Sequence, residues 1–441
     1  MNTNEQMKKI FATGLSIVLS LPLWAQGGTN SPYSQFGLGI LARQSAGFNR
    51  GMNGLAYGFH ENDKVNFQNP ASYSAIDSLT FIFDAGVSLQ ITNFEEKGHR
   101  KNARNSSIEY AVAAFRAFKH LGVSFGFLPY SNVGYNFQNT ENINAFPNPS
   151  SQSATFSNTF SGSGGLHQVY LGIGWEPIRN LSIGANASYL WGELNRDVVN
   201  SYSDKNISTL SKSYITSVAS YKVDLGLQYT QKINRKNQVT LGLIYSLGNK
   251  LNANPECHVI SRNSQTLISD TTSYVIHKAL ELPQTFGGGV TWNYSNQLKL
   301  GFDYQIQKWA KIAMPQFTVV NGVADYKLVG GQFNDRQLFT LGGEFTKGDR
   351  HRSFLGRMHY RAGISYATPY LKIEGQDGPR EISASVGVGI PIMNNYNNRG
   401  LLNISCEWFN RQANNFIKEN VFRINIGLTF NERWFAKFKV E

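Results

Sequence analysis

Apolar and polar side chains alternate along the stretch from Leu79 to Thr92. Because successive side chains of a strand point to opposite faces, this pattern predicts a strand with one apolar and one polar face. At about 3.3 Å per residue the strand is long enough to cross a bilayer at a tilt, which takes roughly 9 to 11 residues. Its odd positions carry Leu79, Phe81, Phe83, Ala85, Val87, Leu89 and Ile91, and its even positions are polar or glycine except for Ile82.

The same period recurs along the rest of the chain. It predicts an all-β fold, a transmembrane antiparallel barrel of about 14 strands, since bacterial barrels have an even strand number. Connections after odd strands are mostly long and those after even strands short, as expected for external loops and periplasmic turns. We expect residues 94–105, 138–163 and 248–280 to be loops, the last with strand character near Tyr274–His277. The predicted strands are Leu79–Thr92, Ile108–Phe118, Leu121–Phe137, Leu166–Trp175, Leu181–Trp191, Tyr214–Gln231, Val239–Leu247, Thr285–Tyr294, Leu298–Lys308, Gln337–Phe345, Met358–Tyr366, Glu381–Ile390, Leu401–Phe409 and Val421–Phe430.

The N-terminal part of the chain lacks this alternating pattern. Lys8 and Lys9 precede an apolar run from Ile10 to Leu23, and a plausible cleavage site follows at Ala25, which predicts a signal peptide over residues 1–25 and export of the chain. Residues 26–78 lack sustained alternation, and we expect them to fold into the barrel as a hatch or plug; a flexible exported linker is the alternative. The barrel then takes residues 79–441, with a short periplasmic C-terminal end where Trp434 and Phe435 suit an aromatic girdle.

Composition supports an exported barrel over a cytosolic enzyme. Only 16% of the 441 residues are charged, 42 are glycine, and no run of about 18 apolar residues follows the N-terminus. The net charge of +12 comes from Lys and Arg scattered among turns and loops, without a basic helix or stripe, so we expect no nucleic-acid partner. The charge fits a solvated surface facing acidic lipid head groups. Cys257 and Cys406 are expected to be free thiols rather than a disulfide.

Charged residues on the predicted strands should point into the lumen, because a Lys or Arg facing lipid at mid-depth costs roughly 2 to 4 kcal/mol. They either tether the plug or select an anionic head group. No nucleophile elbow, metal-spaced histidine pair or carboxylate cluster stands out, so we expect neither an enzyme, nor a metal, nor a cofactor. The predicted luminal charges are Asp84, Lys222, Asp224, Lys299, Asp303, Arg357, Arg361, Glu381, Glu407 and Arg423.

Several short motifs resemble the FadL family of hydrophobic-compound transporters, and in particular its divergent members in Bacteroidota. They are Asn69-Pro70-Ala71 before the first strand, Leu282-Pro-Gln-Thr-Phe-Gly-Gly-Gly-Val290, Phe302-Asp-Tyr-Gln-Ile-Gln-Lys-Trp309, Leu341-Gly-Gly-Glu-Phe345, Tyr360-Arg-Ala-Gly-Ile364 and Arg433-Trp-Phe435. The resemblance implies a fourteen-stranded barrel with a small N-terminal hatch that contains Asn69, Pro70 and Ala71. It also implies an apolar ligand cleft, which ligands leave sideways where the third strand kinks.

Two sets of residues would form this ligand cleft and its lateral exit. The apolar hatch residues Phe36, Leu38, Ile40, Phe48 and Leu55 would bind ligand. Pro129, between Gly126 and Gly134 on the third strand, is the candidate lateral gap, since proline cannot donate to the strand ladder. The alternative is a strand that ends above the membrane at this point.

These expectations describe an outer-membrane channel for small hydrophobic compounds, fatty-acid-like or aromatic, that diffuse passively past the hatch. Its partners would be outer-membrane lipid and a small hydrophobic ligand. The alternative is a non-transporting barrel that serves as a subunit or docking scaffold of an envelope secretion or assembly complex. A lumen without a continuous apolar cleft, together with stable protein partners, would favour the alternative.

Overall fold

A computed structural model describes residues 29–143, 154–204, 206–348, 351–393 and 399–432. The predicted signal peptide, Trp434 and Phe435 lie outside these residues. Fourteen antiparallel strands form a closed wall in which the first pairs with the last, so the predicted fold is confirmed. The wall strands are β1 (Phe81–Glu96), β2 (His99–Phe118), β3 (Leu121–Ile143), β4 (Ala154–Ile178), β5 (Leu181–Tyr202), β6 (Thr209–Lys232), β7 (Asn237–Ser246), β8 (Thr285–Tyr294), β9 (Leu298–Gln307), β10 (Arg336–Phe345), β11 (His359–Ala367), β12 (Arg380–Met393), β13 (Arg399–Gln412) and β14 (Lys418–Glu432).

The alternation along each strand sorts side chains between the outside and the lumen. On β1, Val87 and Leu89 are exposed on the outer surface, whereas Asp84, Ser88 and Gln90 are buried. Exposed Leu, Ile, Val and aromatic side chains continue around the other wall strands. The strands close into a barrel and its exterior is apolar, which suits it to lipid, so the chain is an outer-membrane type of barrel.

Two expected loops are strands instead. β1 continues to Glu96 and meets β2 at His99 through a two-residue turn, Lys97-Gly98, in which both residues have positive φ. β4 likewise begins at Ala154, within the expected loop 138–163. Above the bilayer the ladder still supplies backbone hydrogen bonds, but side chains no longer need one apolar face, so the alternation fades while the strand continues.

The long connection between β7 and β8 contains a hairpin, Glu256–Arg262 and Ser269–Val275. Its first strand pairs with Thr209–Ile215 at the start of β6, so it extends the wall outward. The other short elements are the hairpins Met314–Val320 with Val323–Val329 and Lys372–Ile373 with Gln376–Asp377, the strand Ile40–Leu41, the 3-10 helices Pro32–Gln35 and Pro70–Ala75, and the α-helical turns Gly47–Arg50 and Phe354–Arg357.

None of the helices within the described residues is both long and apolar enough to span a membrane.

Two apolar clusters lie inside the wall. One packs the external loops over the N-terminal residues Tyr33 and Leu38, and includes Leu282, Trp309 and Phe333. The other packs the helical turn at Phe48 and the residues that follow it against inward side chains of the first strands, such as Tyr110 and Tyr170. Both clusters therefore join the N-terminal part of the chain to the barrel.

Candidate functional site: a filled lumen and a covered wall gap

Residues 29–78, which we call the luminal segment, run from one end of the barrel to the other. At the external end, Ser31 Oγ donates to Glu419 Oε1 at 2.5 Å, and the Tyr33 hydroxyl donates to Ile417 O, also at 2.5 Å. At the end with short turns, Ser74 Oγ bonds Ser182 Oγ at 2.8 Å. The segment then enters β1.

Glycines on the lumen side let the backbone of the segment touch the wall. A Cβ built on Gly242 of β7 would lie 1.8 Å from Tyr57 O, and one on Gly122 of β3 would lie 1.9 Å from Tyr73 O. No real side chain tolerates such distances, so these two positions require glycine. Equivalent close approaches to the segment occur at Gly174, Gly184, Gly226, Gly363 and Gly387. We call these seven residues the glycine belt.

Asn69-Pro70-Ala71 begins the 3-10 helix that rests on this belt. Asn69 Oδ1 accepts from Ala71 N at 3.2 Å and caps the helix, while its Nδ2 donates to Tyr57 O at 2.9 Å. Pro70 occupies the first helical position, where a missing N–H costs no helix bond. The motif thus has a structural explanation of its own: it turns the chain and fixes it to β6, where Leu227 O accepts a further bond at 3.3 Å from the Asn69 amide.

Buried ion pairs fasten the segment to the wall. Arg50 Nη2 lies 2.9 Å from Glu109 Oε2 of β2, and Arg50 Nη1 donates to Asn425 Oδ1 of β14 at 3.0 Å. Both members of the Arg50–Glu109 pair are buried. A lone buried charge is strongly unfavourable, so each holds the other in place.

A second group of charges surrounds Glu344 on β10. Arg361 Nε lies 2.6 Å from Glu344 Oε2, and Lys64 and Lys299 approach Oε1 of the same carboxylate at 3.5 Å. Lys299 also pairs with Glu61 of the segment at 2.6 Å. The charges of wall and segment thus neutralise one another within the lumen.

The remaining predicted luminal charges are similarly engaged. Asp303 Oδ2 accepts from the backbone N–H groups of Ala56 and Tyr57, and Glu381 pairs with Arg43 of the segment at 2.9 Å. Arg423 donates to Gln90 Oε1 at 2.7 Å. Other contacts join wall residues only: Asp84 with the Tyr110 hydroxyl, Asp224 with Lys222 and Ser246, and Glu407 with Arg423 at 3.9 Å.

Arg357 is placed differently from the expectation. It ends the helical turn Phe354–Arg357 in the connection before β11, and its guanidinium lies 5.9 Å from the ring centroid of Phe354. It therefore does not face the lumen from a strand. The expected strand began one residue too early, at Met358, and the connection ahead of it curls into a helical turn instead of continuing the wall.

The predicted ligand-binding residues do not meet in one place. Leu38 belongs to the external cluster, with Phe36 and Ile40 packed against it, whereas Phe48 and Leu55 belong to the cluster near the helical turn. Leu38, Phe48 and Leu55 are fully covered by protein. These side chains fill the interior of the described structure.

The wall contains a gap between β2 and β3. Their ladder runs from Phe118↔Leu121 to Ala111↔Phe127 and stops there, while β3 continues to pair with β4. The ladder that β3 forms with β4 has a register shift between Pro129 and Ser131, just beyond the last β2–β3 pair. Before this shift Gly126 packs closely on Ala111 O, and after it Gly134 N donates to Ser34 Oγ of the luminal segment at 3.1 Å.

The luminal segment covers the gap. Its strand Ile40–Leu41 pairs antiparallel with Asn132 and Ser131 on the free side of β3. Ala42 N donates to Tyr130 O at 2.9 Å, and Gln44 Nε2 donates to Pro129 O at 2.7 Å. The carbonyl groups next to the proline, which have lost their neighbour β2, are thereby satisfied.

A small cavity of about 30 Å³ remains beside the covered gap. Its lining includes Ser88, Gln90, Glu109, Arg411 and Arg423. The space is large enough only for a water molecule or two and is too small for a hydrocarbon.

Sequence reasoning missed the segment's own charged residues, Arg43, Arg50, Glu61 and Lys64, as well as Glu109. The partners of these charged residues lie in distant parts of the chain, so no local sequence pattern pairs them. One sequence signal does indicate that the segment contacts the wall: glycine recurs at inward-facing positions of many strands.

The closed wall, the filled lumen and the gap between β2 and β3 define a fourteen-stranded membrane β-barrel whose interior is occupied by its own N-terminal segment. Three solved structures share this fold at low sequence identity. They are the CymD monoaromatic hydrocarbon channel, with 14% identity and a TM-score of 0.58 over 90% of this chain and 98% of the other; the Ralstonia pickettii toluene transporter TbuX, with 13% and 0.59 over 88% and 98%; and a Pseudomonas aeruginosa FadL homologue, with 11% and 0.59 over 90% and 99%. The predicted resemblance in fold is therefore confirmed.

The sequence itself identifies the family. The BamG family model matches residues 7–441, and the chain belongs to the BamG family. No curated protein matches the sequence.

Proposed function

We propose that this chain is a sealed outer-membrane barrel that works as a subunit or docking scaffold of an envelope assembly or secretion complex. The predicted signal peptide at residues 1–25 would export it. In this proposal residues 26–78 are a fixed plug, and Asn69, Pro70, Ala71 and the luminal charges hold that plug in place rather than select a ligand.

One observation carries the proposal: the segment is joined to the wall along its whole length. It contacts the glycine belt, forms a buried ion pair with Glu109 and a partly buried one with Glu381, and supplies the strand that covers the wall gap. Moving it aside would break these contacts together and expose unpaired buried charges. A fixed interior would not help a ligand to diffuse through the barrel, whereas a scaffold needs a stable shape.

The second candidate is a channel for small hydrophobic compounds. It is favoured by the fold shared with hydrocarbon and toluene transporters and by the wall gap at Gly126, Pro129 and Gly134. In this case Phe36, Leu38, Ile40, Phe48 and Leu55 would separate to admit ligand. The segment would then have to leave the free side of β3 during transport.

A disulfide lock separates the two functions. Leu41 and Ser131 are direct partners in the ladder, so Leu41→Cys with Ser131→Cys ties the segment across the gap. The matched control joins the hairpin above β6, Val259→Cys with Lys212→Cys, which are also direct partners and lie far from the gap. Both variants also carry Cys257→Ser and Cys406→Ser.

The locked chain and its control are expressed in a strain that lacks the gene. We expect uptake of labelled toluene to be the same with and without the lock, and a tagged chain to retain the same stoichiometric protein partner in both. Loss of uptake in the locked chain, restored by reductant and absent in the control, would establish the channel instead. Purification without any stoichiometric partner would contradict the scaffold.

A further inference from the structure

At the short-turn end of the barrel, the turns after β2, β4, β6 and β8 are joined by backbone hydrogen bonds. The turn after β2 meets the turn after β4, where Glu176 N donates to His120 O at 3.0 Å. Thr230 N donates to Asn180 O at 2.9 Å, and Ser295 N donates to Lys236 O at 2.6 Å. Side chains on neighbouring turns are therefore held side by side.

This end of the barrel is strongly basic. Its exposed cations are Lys119, Arg179, Lys232, Arg235, Lys236, Lys347 and Arg352, which we call the basic rim. Within the described residues, none of these seven forms an ion pair. Among the described residues, the acidic ones near this end are Glu61, Asp63, Asp77, Glu176 and Glu432. Glu61 pairs with Lys299, Glu176 accepts from Asn180 N and pairs with His120, and Asp77 accepts from Asn62.

The opposite end has a different charge pattern. There, acidic side chains such as Glu256, Asp270 and Glu281 lie among the cations, and some form ion pairs, as in Arg100–Glu95, Lys308–Asp335 and Lys327–Asp325. The rim differs from the external end because few acidic side chains accompany its cations. A uniformly solvated surface, the simplest explanation for the net charge, would show no such asymmetry between the two ends.

Exposed apolar side chains accompany the cations. Phe118 precedes Lys119, Ile178 precedes Arg179, Ile233 follows Lys232, and Leu355 lies in the connection that holds Lys347 and Arg352; all four are exposed. An apolar side chain beside a Lys or Arg suits the membrane interface, where one enters the acyl boundary and the other reaches a phosphate. An acidic protein surface in water would leave the apolar groups without a partner.

We propose that the basic rim binds the phosphate groups of anionic phospholipids in the leaflet that surrounds the short-turn end of the barrel. The inference is independent of the proposed function, since both a scaffold and a channel would use it. It assigns a ligand class, the anionic lipid head group, to a surface outside the lumen. Each Lys or Arg near such a leaflet strengthens binding about fivefold.

The test uses the full chain in detergent micelles, with phosphatidylglycerol or phosphatidylcholine added. The variant Lys232→Gln, Arg235→Gln, Lys236→Gln removes three rim charges. The control Lys278→Gln, Lys311→Gln, Lys327→Gln removes three from the external end, so net charge is matched. A second variant, Lys119→Gln with Arg179→Gln, probes the neighbouring turns.

We expect phosphatidylglycerol to raise the Tm of the wild type and the control more than phosphatidylcholine does. Both rim variants should lose most of that difference, and native mass spectrometry should show fewer retained phosphatidylglycerol molecules. An equal Tm shift in rim and control variants would overturn the proposal. So would a rim variant that retains as many phosphatidylglycerol molecules as the wild type does.

Discussion

At the scale of single residues, the Arg50–Glu109 pair shows how the interior is held. Glu109→Leu would leave the Arg50 guanidinium buried beside an apolar side chain. Breaking a buried pair from one side costs about 3 to 5 kcal/mol, so we expect the free energy of unfolding to fall by that amount. Urea denaturation in detergent micelles measures it.

The matched control is Glu95→Leu, because Glu95 pairs with Arg100 on the exposed external end. Surface pairs contribute about 0 to 1 kcal/mol, so the control should unfold almost as the wild type does. Equal losses in the two variants would mean that Arg50 is solvated in the native barrel.

The glycine belt makes a second residue-scale prediction. Gly242→Ala places a methyl group where Tyr57 O now lies, whereas Gly330→Ala meets open space. Overpacking of an interior costs about 1 to 3 kcal/mol, and a clash with backbone belongs at the upper end. We expect a lower Tm for Gly242→Ala and an unchanged one for Gly330→Ala. A wild-type Tm in both would show that the segment does not rest on β7.

The two cysteines, which are free as expected, should differ in reactivity. Burial raises the pKa of the Cys257 thiol to about 11, more than Lys212 and Tyr214 lower it. Because the thiolate reacts, Cys257 should stay unlabelled by maleimide at pH 7 and react faster only as pH rises toward that value. Cys406 is exposed on β13 among lipid-facing neighbours.

A lipid-soluble maleimide should therefore label Cys406 at neutral pH, while a sulfonated, water-soluble one should not. The single variants Cys257→Ser and Cys406→Ser assign the labelled site by mass spectrometry. Rapid labelling of Cys257 at pH 7 would contradict its burial under Tyr214 and Lys212.

At the scale of elements, sequence periodicity was most accurate inside the bilayer. Thr285–Tyr294 was predicted with the bounds that the structure gives, and most other wall strands agree within a few residues. In this region one face must meet lipid, so the side-chain pattern follows the backbone. Above the bilayer, residues 99–107 form a strand with a polar sequence, His-Arg-Lys-Asn-Ala-Arg-Asn-Ser-Ser. The side chains do not alternate there between apolar and polar, so the sequence does not predict the strand.

The candidate site was less accessible to sequence reasoning. The sequence predicts a candidate lateral gap at Pro129, because proline removes a ladder donor, and the structure has a register shift in the β3–β4 ladder between Pro129 and Ser131. The cover supplied by Ile40–Leu41 was not foreseen, since it depends on a two-residue pairing across about 90 residues of chain. The inward position of Lys299 and Asp303 follows from alternation, but their partners in the segment do not.

The cover over the gap can be tested by changing Gln44. Gln44→Leu removes the bond to Pro129 O and leaves the buried Gln168 Nε2 without its acceptor. An unsatisfied buried group costs about 1 to 3 kcal/mol, so the Ile40–Leu41 strand should detach more often. A reporter, Asn132→Cys in a chain with Cys257→Ser and Cys406→Ser, should then react faster with a lipid-soluble maleimide.

The control for this experiment is Gln332→Leu, which removes an exposed bond to Gln316 near the external hairpins. The reporter at position 132 should react at its original rate in that background. An unchanged rate in Gln44→Leu as well would indicate that other contacts cover the gap.

At the scale of the whole molecule, the barrel and the luminal segment form one folded unit. Apolar clusters at the external loops and near the helical turn both contain segment residues, and ion pairs join the segment to several wall strands. Because the segment contacts strands on opposite sides of the barrel, the residues that meet in this core are far apart in the sequence. Wall and segment should therefore unfold together rather than in separate steps.

Hydrogen–deuterium exchange of the full chain in micelles tests that claim most directly. Bonded backbone amides of the segment include Arg50 N, Met52 N and Ser72 N, and those of Ala56 and Tyr57 donate to buried Asp303. We predict that peptides covering residues 47–76 exchange as slowly as peptides from β8 and β9. Exchange of residues 47–76 within seconds, while the wall stays protected, would show a mobile hatch and contradict the sealed barrel.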